Sequence, residues 1–332
     1  MSFGAGQLIE DVDYTTVYNK ISGIYGRNDD GYGQAMDSNP AANNGIIYAS
    51  HWDTLRIYII NSRIHQVGSA SLTDVNSGTL ISYTHLSSYN TMADGCIADK
   101  RLISNGQFSP DEAKSSGIRQ SSVSGAWGVQ ASSNHVLTAT CTVTGADMNG
   151  DGSRRGLRYF FNAGGKIKLS LTLASFTGGV SGKGQKWADL FSSAGTIYMD
   201  YTQTLCTGTG TTSAVGGLDL TTSDATLFTK TVGSGVYSEN YFRVYARFTD
   251  SNETAIIFTV KCYDMDTGDQ TGAGPAVDEE VDGNLTVAFT QDRPSGSYVS
   301  ITTPTYSSVT FSTGTSYIKL LTLFQYNYTI LV

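Results

Sequence analysis

The sharpest chemical signal in the sequence is the run Asp147-Met148-Asn149-Gly150-Asp151-Gly152. Asp147, Asn149 and Asp151 fall on the first, third and fifth positions of a calcium loop, where oxygen donors are needed, and Gly152 falls on the sixth, where the chain must turn sharply. Position twelve, normally a bidentate Glu, is Arg158. A bound Ca2+ would need a further oxygen from elsewhere, and the competing reading of the run is a polar β-turn. These three residues are the calcium candidates, and no other cofactor is expected.

A second group of oxygens lies further along: Asp264, Asp266 and Asp269 around Gly268, then Asp278, Glu279, Glu280 and Asp282. Paired carboxylates are the minimum for glycoside cleavage, so Asp264, Asp266 and Glu280 are the candidates for a glycan-degrading enzyme. No neighbouring signal marks one as proton donor and another as nucleophile, and the segments have the composition of solvated loops. The histidines, His51, His65, His85 and His135, do not gather. His51 and His65 on one helix would stand about 21 Å apart, too far to share a metal. No serine sits in a G-x-S-x-G elbow, and the Gly/Thr run from Thr207 to Thr212 lacks the Gly-Lys-Ser/Thr of a phosphate loop. The expectation is a protein that is not an enzyme.

The remaining candidates concern contact with other molecules. Tyr241, Arg243, Tyr245 and Arg247 alternate with Phe242, Val244, Ala246 and Phe248. The second set supplies a core, which leaves a Tyr/Arg row on the other face, a composition enriched at protein interfaces. Trp52 and Trp187 read as packing residues, with sugar stacking as the sharper alternative.

The elements that would position these residues fall into two zones. Val17, Ile21, Ile24 and Tyr25 form a helical stripe that Asp13 could cap and Gly26 could end. Trp52, Leu55, Ile59 and Ile60 form another, with Ser50 and Asp53 as a start signal and Gly68 as a stop. A third helix is expected from about Ser82 to Asp99. The Ser/Gly-rich stretch 106–126 reads as a linker. Beyond it, Leu137, Ala139, Cys141 and Val143 alternate with threonines, and Ile167, Leu169, Leu171 and Leu173 alternate with Lys166, Lys168, Ser170 and Thr172, as half-buried antiparallel strands do. Arg158, Tyr159, Phe160 and Phe161, followed by Asn162-Ala163-Gly164-Gly165, read as an aromatic sheet end and a bend needing positive φ. Gly184 to Gly195 reads as a helical turn between strands. The expected fold is α+β, mainly β: a helical region over 1–105, the linker, and an antiparallel β-sandwich over 127–332.

Composition agrees. The 332 residues include 37 glycines and 20 tyrosines, only 15% are charged, and the net charge is −8. There is no basic cluster of the kind nucleic acid requires. No run approaches the ~20 apolar residues of a membrane span, and the N-terminus has no signal-peptide pattern, so synthesis in a cytoplasm without membrane insertion is expected. Cys96, Cys141, Cys206 and Cys262 lack metal spacing and read as free thiols, with a disulfide as the alternative.

Three stretches taken together carry a resemblance: Asp13 to Gln34, ending in Gly-Tyr-Gly-Gln; Ala49 to Gly68, ending in His-Gln-Val-Gly; and Arg158 to Met199, with R-x-F-F-N-x-G-G and A-G-T-I. The set is similar to structural proteins of tailed bacteriophages, especially those of cyanobacteria and marine bacteria. The resemblance implies a virion part (tail, baseplate, neck or fibre) assembled in the host cytoplasm, with other virion proteins as partners, and it brings no catalytic residue. Self-association, for instance into a trimer, suits such a part. Tyr241, Arg243, Tyr245 and Arg247 are the interface candidates. A carbohydrate-binding adhesin for a host surface glycan, using calcium at Asp147, Asn149 and Asp151, is the first alternative, and the glycan-degrading enzyme is the second.

Overall fold

The computed structural model describes residues 9–43, 45–78, 80–124, 127, 135–146, 156–176, 182–235, 237–265 and 281–315. Three helices come first: α1 (Asp11–Tyr25), α2 (Ala49–Val67) and α3 (Tyr83–Ala98). Their apolar stripes meet, with Val17, Ile21, Trp52, Leu55, Ile59, Leu86 and Tyr89 all buried. Tyr14 meets Trp52 edge-on at 5.0 Å between ring centroids, and Trp52 meets Tyr89 at 6.0 Å. The expected caps move slightly. Asp13 is not the cap of α1 but accepts from the Glu10 backbone N–H at 3.0 Å, one half of a capping box. In α2 the start lies before Ser50: His51 Nδ1 accepts from the Tyr48 N–H at 3.1 Å, and Asp53 instead pairs with Arg56.

After a short 3-10 turn, Asn105–Gln107, the chain enters β1 (Phe108–Gln120) and then the single turn α4 (Ser121–Ser124). This overturns the linker expected over 106–126. β1 is a 13-residue strand that pairs antiparallel with β10 (Asn284–Pro294). Its sequence hides this because an edge strand with two register shifts, after Ser109 and after Ala113, needs no clean alternation.

The other strands are β2 (His135–Thr144), β3 (Lys166–Ala174), β4 (Ile197–Met199), β5 (Thr204–Cys206), β6 (Thr211–Thr212), β7 (Ala225–Thr231), β8 (Tyr241–Phe248), β9 (Ala255–Asp264), β11 (Thr305–Tyr306) and β12 (Thr310–Thr315). Every pairing is antiparallel. One sheet runs β1-β10-β3-β4-β5; the other runs β11-β2-β9-β8-β7-β6, with β12 also on β2. Their inner faces meet as a sandwich: Phe258 of β9 lies 5.7 Å from Phe289 of β10, and Phe289 lies 6.4 Å from Tyr306 of β11. The alternations read from sequence hold, with Leu137, Ala139, Cys141, Val143, Ile167, Leu169, Leu171 and Leu173 all buried. Each Leu, Ile or Val among them contributes about 1.5–3 kcal/mol. The fold is α+β, mainly antiparallel β.

Two helices serve the sandwich. α6 (Lys183–Ala194) covers the segment expected to be helical and packs on β3, with Phe191 5.4 Å from Phe242 of β8. α5 (Gly156–Asn162) replaces the expected aromatic sheet end. Leu157, Tyr159, Phe160 and Phe161 are fully buried on this helical turn, and of Asn162, Gly164 and Gly165 only Gly164 takes positive φ, at 87°.

α5 is also where the helices dock. The Asn162 side-chain amide donates to the backbone carbonyls of Asp29 at 3.0 Å and Gly31 at 2.8 Å, while its Oδ1 accepts from Arg101 at 2.9 Å. His65 Nε2 lies 3.0 Å from the Ala163 carbonyl. The Gly33 backbone, at φ 73°, lies against the Tyr159 ring, where an added Cβ would come within 2.4 Å. Gln34 donates to the Ser300 carbonyl at 2.9 Å and accepts from the Ser300 N–H at 3.2 Å. Gln66 donates to the Tyr32 hydroxyl at 2.9 Å, and that hydroxyl donates to the Lys100 carbonyl at 2.8 Å. The three stretches that stand out in the sequence therefore meet at one joint. The four cysteines are free.

Candidate functional site

β8 presents Tyr241, Arg243, Tyr245 and Arg247 half-buried on one face and buries Phe242, Val244, Ala246 and Phe248 on the other. The register adds residues the sequence could not supply. Tyr263 of β9 lies opposite Tyr241, and Lys261 opposite Arg243. Strand alternation puts Tyr263 and Lys261 on one face of β9, but only the pairing shows that this face continues the Tyr/Arg row. The Tyr241 and Tyr263 rings stack at 4.5 Å with 18° between planes. The Arg243 guanidinium lies 4.9 Å from the Tyr241 ring centre, and Lys261 Nζ lies 5.3 Å from that of Tyr245. The Tyr245 and Tyr263 hydroxyls are 3.2 Å apart. Beyond them β2 adds Thr138, Thr140 and Thr142, also half-buried.

Burial keeps Tyr241 and Tyr263 protonated. Burial pushes the Tyr263 hydroxyl far above the ordinary phenol range, helped by its hydrogen bond with Tyr245. Burial likewise raises Tyr241. A hydrogen bond with Tyr245 raises Arg243 further above its already high value. Arg247 pairs with Asp224 at 3.3 Å, so the charge nearest the stacked tyrosines belongs to Arg243 and Lys261. The result is a sheet face of rings, hydroxyls and cations.

The other candidates divide between residues that are described and residues that are not. Asp147, Asn149 and Asp151 lie outside the described residues, as do Asp266, Asp269, Asp278, Glu279 and Glu280. Asp264 is buried and ion-paired with Lys183. Trp52, Trp127 and Trp187 are all buried, which removes them as sugar-stacking surfaces. Among the described residues no three His, Cys, Asp or Glu gather as metal ligands, and no helix is long and apolar enough to cross a membrane.

One polar hollow of about 290 Å³ opens on the outer face of the first sheet, lined by Asp111, Lys166, Lys168, Tyr198 and Asp292 among others. Its acids are spoken for: Lys168 reaches Asp111 at 2.9 Å and Asp292 at 2.6 Å. Nearby on β1, burial raises Glu112, but hydrogen bonds from Lys114, Gln291 and Arg293 outweigh that and hold it at about 2. These acids act as crosslinks between β1, β3 and β10. Compared with known protein families, the chain matches no family model, and it matches no curated protein.

Proposed function

We propose that the chain is a structural subunit that assembles with copies of itself through the outer face of β8 and β9, as a part of a tailed-phage virion. The phage assignment rests on the sequence resemblance, whose motifs meet at the joint between helices and sandwich and so act in holding the subunit together. The assembly reading rests on one observation: a stacked Tyr241–Tyr263 pair flanked by Arg243 and Lys261, on the outer sheet face, in a chain of net charge −8. Aromatic rings and arginine supply the largest contact energies at protein interfaces. A cationic face on an acidic chain is complementary to the acidic surface of another copy.

Light scattering of the purified full chain tests this. A discrete oligomer is expected, with dissociation in the Tyr241→Ala/Arg243→Glu double variant while the far-UV spectrum stays unchanged. A monomer at all concentrations overturns the assembly reading. The same tyrosines favour one second reading, a glycan-binding module. A monomer that binds a glycan array, and loses binding on Tyr241→Ala, would move the assignment there.

A further inference from the structure

Two hollows on the first sheet share one side chain, Lys166. One is the polar hollow of about 290 Å³ walled by Lys168, Tyr198, Asp111 and Asp292. The other, of about 300 Å³, lies where the chain leaves α3, between Leu102, Ile103 and Tyr201. Each has a half-buried tyrosine in its wall, Tyr198 in the first and Tyr201 in the second. A ligand that spans both passes Lys166.

Lys166 has been kept from its natural partner. The antiparallel register sets it opposite Asp292, where opposite charges ordinarily pair. Here Asp292 Oδ1 already accepts from Lys168 at 2.6 Å and from the Asp111 N–H at 3.0 Å. The register shift of β1 between Ser109 and Glu112 makes this possible: it carries Asp111, at φ 50°, to where its own carboxylate also meets Lys168, at 2.9 Å. Lys166 Nζ is left 5.5 Å from the centre of the Tyr198 ring. Among the described residues no carboxylate pairs with it. An unpaired cation beside two open hollows, in a chain of net charge −8, calls for an anionic ligand.

The walls select among anions. Asp111 and Asp292 stand in the same hollow and repel a compact dianion such as phosphate. Their bridge through Lys168 instead offers fixed acceptors beside a donor, with the hydroxyl-bearing Thr196 and Thr207 alongside. Such an array matches a ligand rich in hydroxyl groups. The tyrosine rings add flat apolar surface with a polar tip. Arg101 holds the Tyr201 ring from one side, with its guanidinium 3.1 Å from the ring centre, and Leu102, 51% exposed, extends the apolar surface of the second hollow. A sugar ring has an apolar face and a rim of hydroxyls, and a sugar acid adds the carboxylate that Lys166 lacks.

We propose that this groove binds an acidic oligosaccharide, a short chain of carboxylate-bearing sugars. Lys166 pairs with a carboxylate at the centre, and Tyr198 and Tyr201 support the rings on either side. The site lies on the opposite sheet from β8 and β9, so it is independent of assembly through that face.

The test is a glycan array probed with the purified full chain and printed with neutral, uronic-acid and sialic-acid oligosaccharides. Binding is expected on acidic glycans and not on their neutral counterparts. In solution titrations with the best acidic glycan, Lys166→Gln should weaken binding by roughly tenfold or more, the loss of one charged hydrogen bond. Lys166→Gln is a half-buried surface change that leaves the fold intact, and Tyr198→Ala, where it folds, should weaken binding similarly. Tyr241→Ala should leave binding unchanged, which separates this site from the β8 face. Inorganic phosphate and a polyglutamate peptide should not compete. Absence of binding to every acidic glycan overturns the proposal, as does equal binding of neutral ones. Indifference to Lys166→Gln, or full competition by phosphate or polyglutamate, overturns it as well.

Discussion

Asn162 connects three parts of the chain with one side chain. Its two donated hydrogen bonds reach Asp29 and Gly31, more than 130 positions away, and its acceptor takes Arg101. All of this happens at a fully buried position. Removing the amide leaves the buried Gly31 carbonyl and the part-buried Asp29 carbonyl without that donor and Arg101 without that acceptor, and a buried group left unsatisfied costs about 1–3 kcal/mol. Asn162→Ala should therefore destabilise the fold by on the order of 3 kcal/mol, read from the urea midpoint at unchanged slope. Thr172→Ala, on the exposed side of β3, is the control and should stay within about 0.5 kcal/mol. Equal midpoints for the two variants would show that the amide does not hold the joint. Gly33 is the matching residue on the other side. It combines positive φ with contact on the Tyr159 ring, so no side chain fits there.

The elements show which physics a local sequence carries and which it does not. Strands buried on one face announce themselves, because alternation follows from the pleat: β2, β3 and β8 are legible residue by residue, and α3 is legible as a helix from about Ser82 to Asp99, although its Ser82 cap is a finding of the structure. β1 is not. Its side chains are mostly half-buried or exposed and its register shifts twice, so what holds it is the backbone ladder to β10, which has no side-chain signature. α5 was misread because seven residues are too few to show helical period, and its aromatics are buried whichever way they point. At the surface, the Tyr/Arg row of β8 could be read, but not Tyr263 and Lys261 beside it, since register is a non-local fact. The strand assignment of β1 predicts hydrogen exchange. Amides of Ser116 to Arg119 that face β10 should be protected to a degree comparable with β10 itself, whereas a linker would exchange at once. Fast exchange throughout 108–120 would contradict the pairing.

At the scale of the whole molecule, the joint makes the union of helices and sandwich depend on pH. His65 is fully buried, with Nε2 on the Ala163 carbonyl and its ring 5.1 Å from that of Tyr32. Burial lowers its pKa from 6.5 to about 4, against an opposing pull from the Ala163 hydrogen bond. The folded state thus resists a proton that the unfolded chain accepts near 6.5. The stabilisation from keeping His65 neutral is complete above that value and is lost as pH falls toward about 4, a change on the order of 3 kcal/mol. The charged groups packed on the same joint do not offset this. Arg101 and Lys100 both lean on Asp30, at 3.6 and 3.8 Å. Urea melts between pH 7 and pH 4 should show wild-type stability falling through this window. His65→Gln should start lower, because it replaces a packed ring, and then fall less steeply, because it has no proton to take. Parallel slopes for the two proteins would place the acid sensitivity elsewhere. The tryptophans locate the event: Trp52 reports the helices, whereas Trp127 and Trp187 report the sandwich. If His65 governs docking, Trp52→Phe and Trp187→Phe versions of the chain should both lose their native fluorescence in this window, because the core that the joint closes is continuous from α1 to β12.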